Sequence, residues 1–145
     1  MKWIALLSFL ICFYSQSLAQ ETMMLEKYSW ENRIILLFGE TADESLLHQQ
    51  YEELQADPAG LSERDLIVFQ ILSDRVLEAN VNSSSSSAQK LREQYQISEG
   101  EFCVVLIGKD GSEKLRSNKL LRRNILYDVI DAMPMRRRER DEDKG

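Results

Sequence analysis

The chain has 145 residues, 43% hydrophobic and 29% charged, which is one domain's worth of sequence with enough apolar material for a core. Two cysteines, one histidine and a net charge of −6 exclude a disulfide framework and a Cys/His zinc site, and they argue against nucleic acid as a partner.

Met1-Lys2 is a short basic stretch, Trp3 to Tyr14 is apolar, and Ser17-Leu18-Ala19 carries the small residues that signal peptidase cuts behind. Residues 1–19 therefore read as a signal peptide cleaved after Ala19. The chain is then exported to the periplasm or the medium, with no transmembrane segment left, since a span needs roughly 20 apolar residues. Cleavage leaves Cys103 as the one thiol and moves the net charge to −7. The charge is uneven. Residues 20–108 hold 6 Lys/Arg against 16 Asp/Glu, whereas residues 109–145 hold 11 against 8.

Ile34 to Phe38 is a continuous apolar run closed by Gly39, as expected of a central strand covered on both faces. Thr41 and Glu44 form a capping-box pattern, and Leu47, Tyr51 and Leu54 continue it as an amphipathic helix ending before Asp57-Pro58. Ala59-Gly60 reads as a loop, and Leu66 to Leu72 as a third-run buried strand interrupted only by Gln70. Ser73 to Asn82 has no clean period, and the serine run Ser83 to Ser87 reads as a loop. Ala88, Leu91 and Tyr95 mark a short helix. Phe102 to Ile107, Gly108-Lys109-Asp110-Gly111 and Ser112 to Arg116 then form a buried strand, a tight turn and an edge strand. A last helix, capped by Ser117 or Asn118, carries Leu121, Ile125, Val129, Ile130 and Met133 as one stripe and stops at Pro134.

The order β-α-β-α-β-β-α predicts an α/β fold with a four-stranded mixed sheet and helices on both faces, of the thioredoxin type. A flavodoxin-like variant would need the third strand parallel. The domain spans residues 20–135, and the charged residues 136–145 are predicted to be a disordered tail.

Trp30-Glu31-Asn32-Arg33, Glu63-Arg64-Asp65-Leu66, Leu106-Ile107-Gly108-Lys109-Asp110-Gly111 and Asp131-Ala132-Met133-Pro134-Met135-Arg136-Arg137 form a distinctive set. With it the chain resembles a family of small exported bacterial domains of unknown function. That domain is repeated in vertebrate extracellular-matrix proteins of the equarin and sushi-repeat-containing type. The resemblance covers about residues 28–138. It implies a thioredoxin-like fold, distantly similar to peroxiredoxins, and no assigned activity.

Thioredoxin-type redox chemistry needs a thiolate at the start of the helix after the first strand. Gly39 to Glu44 supplies three carboxylates there and no cysteine, and Cys103 sits inside a buried run where a thiol is an inert small hydrophobe. No catalytic, cofactor or metal set is assigned. His48 reads as a surface residue, Arg64-Asp65 as an ion pair or cap at a strand entrance, and Trp30 as a cover for the core edge. The basic end offers Arg116, Arg122, Arg123, Arg136, Arg137 and Arg138 to an acidic protein, a polysaccharide or a lipid headgroup. The reading is a binding or accessory module. Its alternative is an envelope enzyme, thiol- or peroxide-linked through Cys103 or an unrecognised hydrolase.

Overall fold

The computed structural model describes residues 25–78, 81–83 and 85–145. The predicted signal peptide lies outside the described residues. In chain order the elements are β1 Arg33–Phe38, α1 Ser45–Gln55, α2 Pro58–Glu63, β2 Leu66–Ile71, β3 Val76–Glu78, β4 Val81–Ser83, α3 Ser85–Tyr95, β5 Cys103–Ile107, β6 Glu113–Ser117, α4 Arg123–Asp131 and α5 Pro134–Glu142.

The strands form one mixed sheet in the order β4-β3-β2-β1-β5-β6. β1 pairs parallel to β2 with Ile35 opposite Val68, and antiparallel to β5 with Leu36 opposite Val105. The direction of β5 decides for the thioredoxin type over the flavodoxin-like alternative. The four predicted strands are β1, β2, β5 and β6. Two more, β3 and β4, extend the β2 side as a small antiparallel hairpin.

The unbroken apolar runs follow from burial on both faces of the sheet. Ile35 and Leu37 point into one core with Leu47 and Leu54 of α1, Leu61 of α2, and Leu126 and Ile130 of α4. Ile34, Leu36 and Phe38 point into the other, with Ala88 and Leu91 of α3 and with Ile97. Among the described residues β6 pairs only with β5, and its charged Glu113, Lys114 and Arg116 protect that outer edge. Its turn closes through Gly108 N–H to the Ser112 carbonyl at 2.9 Å, with Gly111 in the left-handed region at φ 77°.

Several local expectations are corrected. Ala59-Gly60 do not form a loop but lie in α2: the Asp57 carboxylate accepts the Gly60 N–H at 3.0 Å and Pro58 opens the helix. Thr41 does not cap α1; Glu44 is the cap residue, and its carboxylate accepts the Glu40 N–H at 2.8 Å. The serine run is split, ending β4 at Ser83 and opening α3 at Ser85. α4 begins only after Arg122, which turns Leu126 and Ile130 inward and leaves Ile125 47% exposed. Tyr28 covers the core edge against Phe69, with ring centroids 5.6 Å apart, while Trp30 is 69% exposed. The charged tail is helical from Pro134, a residue pre-set for the first helical position, which stops one helix and starts the next.

Candidate functional site

The position that thiol chemistry would occupy is filled by other groups. Gly39 ends β1, where a Cβ would stand 2.9 Å from Leu47 Cδ2, so the chain passes close beneath α1. Arg92 of α3 reaches this end of the sheet. It donates to the carbonyls of Gly39 at 2.6 Å, Ile71 at 3.2 Å and Ser98 at 3.0 Å. Its Nε is buried without a partner, and burial pulls its pKa down. The guanidinium thus ties the carboxyl ends of β1 and β2 to the loop after α3, beside an open cleft of ≈ 580 Å³ that Ser73 and Glu99 also line. Cys103 pairs with Phe38 across the strands and is 2% exposed. Burial pushes its thiol pKa up, away from the thiolate that nucleophilic chemistry needs.

At the opposite end of β1 and β2, the distinctive motifs converge on one ionic cluster. Arg33, 1% exposed, forks onto Glu139 of α5 through Nη1 at 3.1 Å and Nη2 at 3.2 Å, and Nη1 also donates to the Arg64 carbonyl at 3.0 Å. Lys109, from the β5–β6 turn, lies 2.8 Å from both Asp65 and Glu139. Arg64 forks onto Asp131 at 3.1 and 2.7 Å and stacks 3.9 Å above the Tyr127 ring. Arg136, 2% exposed, reaches Glu63 at 2.6 Å and Asp131 at 3.3 Å. Arg64 and Asp65 are neighbours that pair with other groups, each tying a strand entrance to a distant element.

Four cations meet four carboxylates, so the cluster is internally neutral. Burial disfavours the ionised forms of Asp131 and Glu139, but their bonds to Arg64 and Arg136, and to Arg33 and Lys109, outweigh it and hold both pKa values low. Burial likewise opposes the charge on Lys109, and Asp65 with Glu139 overcomes it, raising its pKa. Such an arrangement is a clasp. It pins α5 to the sheet and leaves its cations no capacity for a ligand, with Arg33 Nε buried unpartnered inside it.

The predicted arginine site is therefore divided. Arg136 is inside the clasp and unavailable to a partner, because α5 turns it toward Glu63 and Asp131. Arg116 lies on β6, bonded to Glu113 at 2.8 Å and to the Tyr95 carbonyl at 2.8 Å. Arg123 donates to the Glu53 carbonyl at 2.8 Å, and Arg122 caps α4 exposed to solvent. Arg137 and Arg138 are exposed on α5, with no ion-pair partner among the described residues. Arg122 and Arg123 thus stand at the start of α4, and Arg137 and Arg138 on the next helix, α5. No group of three or more His, Cys, Asp or Glu suited to a metal occurs among the described residues.

The sequence reading missed the surface beside the clasp. Trp30 has a left-handed backbone, φ 68°, and its N–H donates to the Lys109 carbonyl at 2.6 Å. Lys109 in turn lines a cleft of ≈ 240 Å³ between the β5–β6 turn and the start of α5, together with Met133, Pro134, Met135 and Arg138. The signal was present in the cluster of motifs, but nothing in the sequence showed which of their residues faced outward.

No described helix is long and apolar enough to cross a membrane. The fold is similar to that of a 2-Cys peroxiredoxin from Plasmodium vivax in its reduced crystal form, with a TM-score of 0.57 at 12% identity, over 80% of this chain and 84% of that one. In sequence the chain is similar to coiled-coil domain-containing protein 80 of Danio rerio, 25% identical over 132 residues. The match takes in 79% of the chain and spans 15% of the length of that relative. A family model described as a domain of unknown function, DUF4174, matches residues 24–139. That match spans most of the chain and places it: it belongs to the DUF4174 family.

Proposed function

We propose that this protein is an exported binding module that uses a thioredoxin-like scaffold to present a basic surface to an acidic partner. The observation that carries this reading is the fate of the two chemistries the sequence offered. The thiol is buried at the start of β5 with its pKa raised, whereas Arg122, Arg137 and Arg138 stand in solvent. A guanidinium without a carboxylate keeps its full bidentate donor set for an incoming anion. Export rests on the leader-like residues 1–19, and an extracellular role accords with the resemblance to matrix-protein repeats.

The test is affinity capture from the envelope and the medium of producing cells, comparing the unaltered chain with a variant in which Arg122, Arg123, Arg137 and Arg138 are changed to Gln. A partner recovered only by the unaltered chain and released by salt supports the reading. Retention of nothing by either chain, or equal retention by both, overturns it.

A further inference from the structure

Two features at the motif end of the sheet serve no purpose in the fold itself. The first is Trp30. A bulky side chain in the left-handed region is an outlier, and here the strained backbone, held by the Lys109 carbonyl, turns the largest side-chain type into water. Asp65, at the entrance to β2, is also left-handed at φ 49°, as is Gln96 after α3 at φ 57°. The second is the cleft lined by Lys109, whose carbonyl accepts the Trp30 N–H. At ≈ 240 Å³ it is smaller than the roughly 300–1,000 Å³ of small-molecule sites, and it suits one side chain of a partner better than a cofactor. Met133, Pro134 and Met135 give it an apolar, adaptable wall.

Charge fixes the kind of partner. Of the four described cations that line the cleft, Arg33 and Lys109 belong to the neutral clasp and Lys114 is held by Asp110, which leaves Arg138 as the one free to meet a partner's carboxylate. Asp110 is held by Lys114 at 2.8 Å, and the adjacent Asp65 and Glu139 are held by Lys109. Arg138 on the rim has no carboxylate among the described residues. An exposed tryptophan, an apolar slot and an unpaired arginine are the components from which protein-binding hot spots are made.

We infer that this surface docks an acidic polypeptide segment, which places one apolar side chain in the cleft beside Trp30 and a carboxylate on Arg138. The inference rests on the binding-module reading and names its face. Glu31, exposed next to Trp30, limits the acidic charge the partner brings to that side. A peptide is favoured over a polysaccharide or a membrane because the slot needs a discrete apolar group at a fixed distance from an anion.

The experiment is selection of a displayed random-peptide library on the full-length chain, followed by affinity measurement with the selected peptide. The expected peptides are acidic with one recurring apolar residue. Trp30→Ala should weaken binding by about tenfold or more, and Trp30→Phe should retain most of it. Arg138→Gln should weaken binding and flatten its salt dependence, and Glu31→Gln should tighten it. Arg138→Glu provides a second variant, at an exposed position where folding is not at stake, should Trp30→Ala fail to fold. Enrichment of no peptide, Trp30- and Arg138-independent binding, or Trp30-dependent binding of heparin fragments or anionic vesicles in place of peptides would each overturn the inference. Loss of binding on Arg122→Gln with Trp30→Ala harmless would sink this face while sparing the binding module.

Discussion

Arg136 and Arg138 lie two residues apart on one helix and live in different media. Arg136 is 2% exposed between Glu63 and Asp131, whereas Arg138 looks into solvent over an apolar cleft. The difference teaches that a run of arginines is not one object. A buried guanidinium with its carboxylates in place is a structural member whose removal strands those carboxylates, while an exposed one contributes little to folding and is free to bind.

The sharpest way to break that comparison is at the centre of the clasp. Arg33→Ala should cost about 3 kcal/mol or more in urea unfolding, because Glu139 loses its forked partner in a buried setting. Arg138→Ala should stay within about 0.5 kcal/mol of the parent. Equal costs at the two positions would dissolve the distinction.

Acid should weaken the same region. Asp131 and Glu139 have folded pKa values below their unfolded ones, and Asp110, bonded to Lys114 and to the Ser112 N–H, is lowered to about 2. Their contribution is complete above the ordinary carboxylate range near 4 and is lost as pH falls through the folded values. Unfolding free energy measured from about pH 6 to about pH 2 should therefore fall, and it should fall less steeply in Arg136→Gln, which has already lost part of the clasp. A parallel decline in the two proteins would detach Arg136 from the acid response.

The smallest effect expected is at the thiol. In the native protein Cys103 should react with a soluble thiol probe far more slowly than in urea, since burial both shields the sulfur and raises its pKa. Rapid native labelling would restore the thiol-linked enzyme as the better reading.

The sequence made the central sheet legible because β1 and β5 are buried on both faces, so Ile34 to Phe38 and Val104 to Ile107 needed no alternation to be recognised. It concealed α5. That helix has Arg136 as its one buried residue, and what holds it are ion pairs to Arg33 and Lys109, 106 and 30 positions away, which no local pattern encodes. Pro134 was the available signal, legible as a helix start as well as a stop. β3 and β4 were too short for a period to emerge. At the candidate site the sequence flagged the right arginines, in what it read as a disordered tail, but could not separate Arg136 from Arg137 and Arg138, because facing is a property of the docked helix. Trp30 was missed because a tryptophan before a strand usually packs, and only the left-handed turn that precedes β1 sends it outward.

The most direct measurement pairs two single variants, Arg136→Gln and Arg138→Gln, each assayed for unfolding free energy and for affinity to the selected acidic peptide. The account predicts a crossover. Arg136→Gln should lose stability by about 2 kcal/mol or more, with the peptide affinity of its folded fraction kept, and Arg138→Gln should keep its stability while affinity falls. Loss of stability from Arg138→Gln, or an Arg136→Gln protein as stable as its parent, would contradict the division of this helix into a clasp and a binding edge.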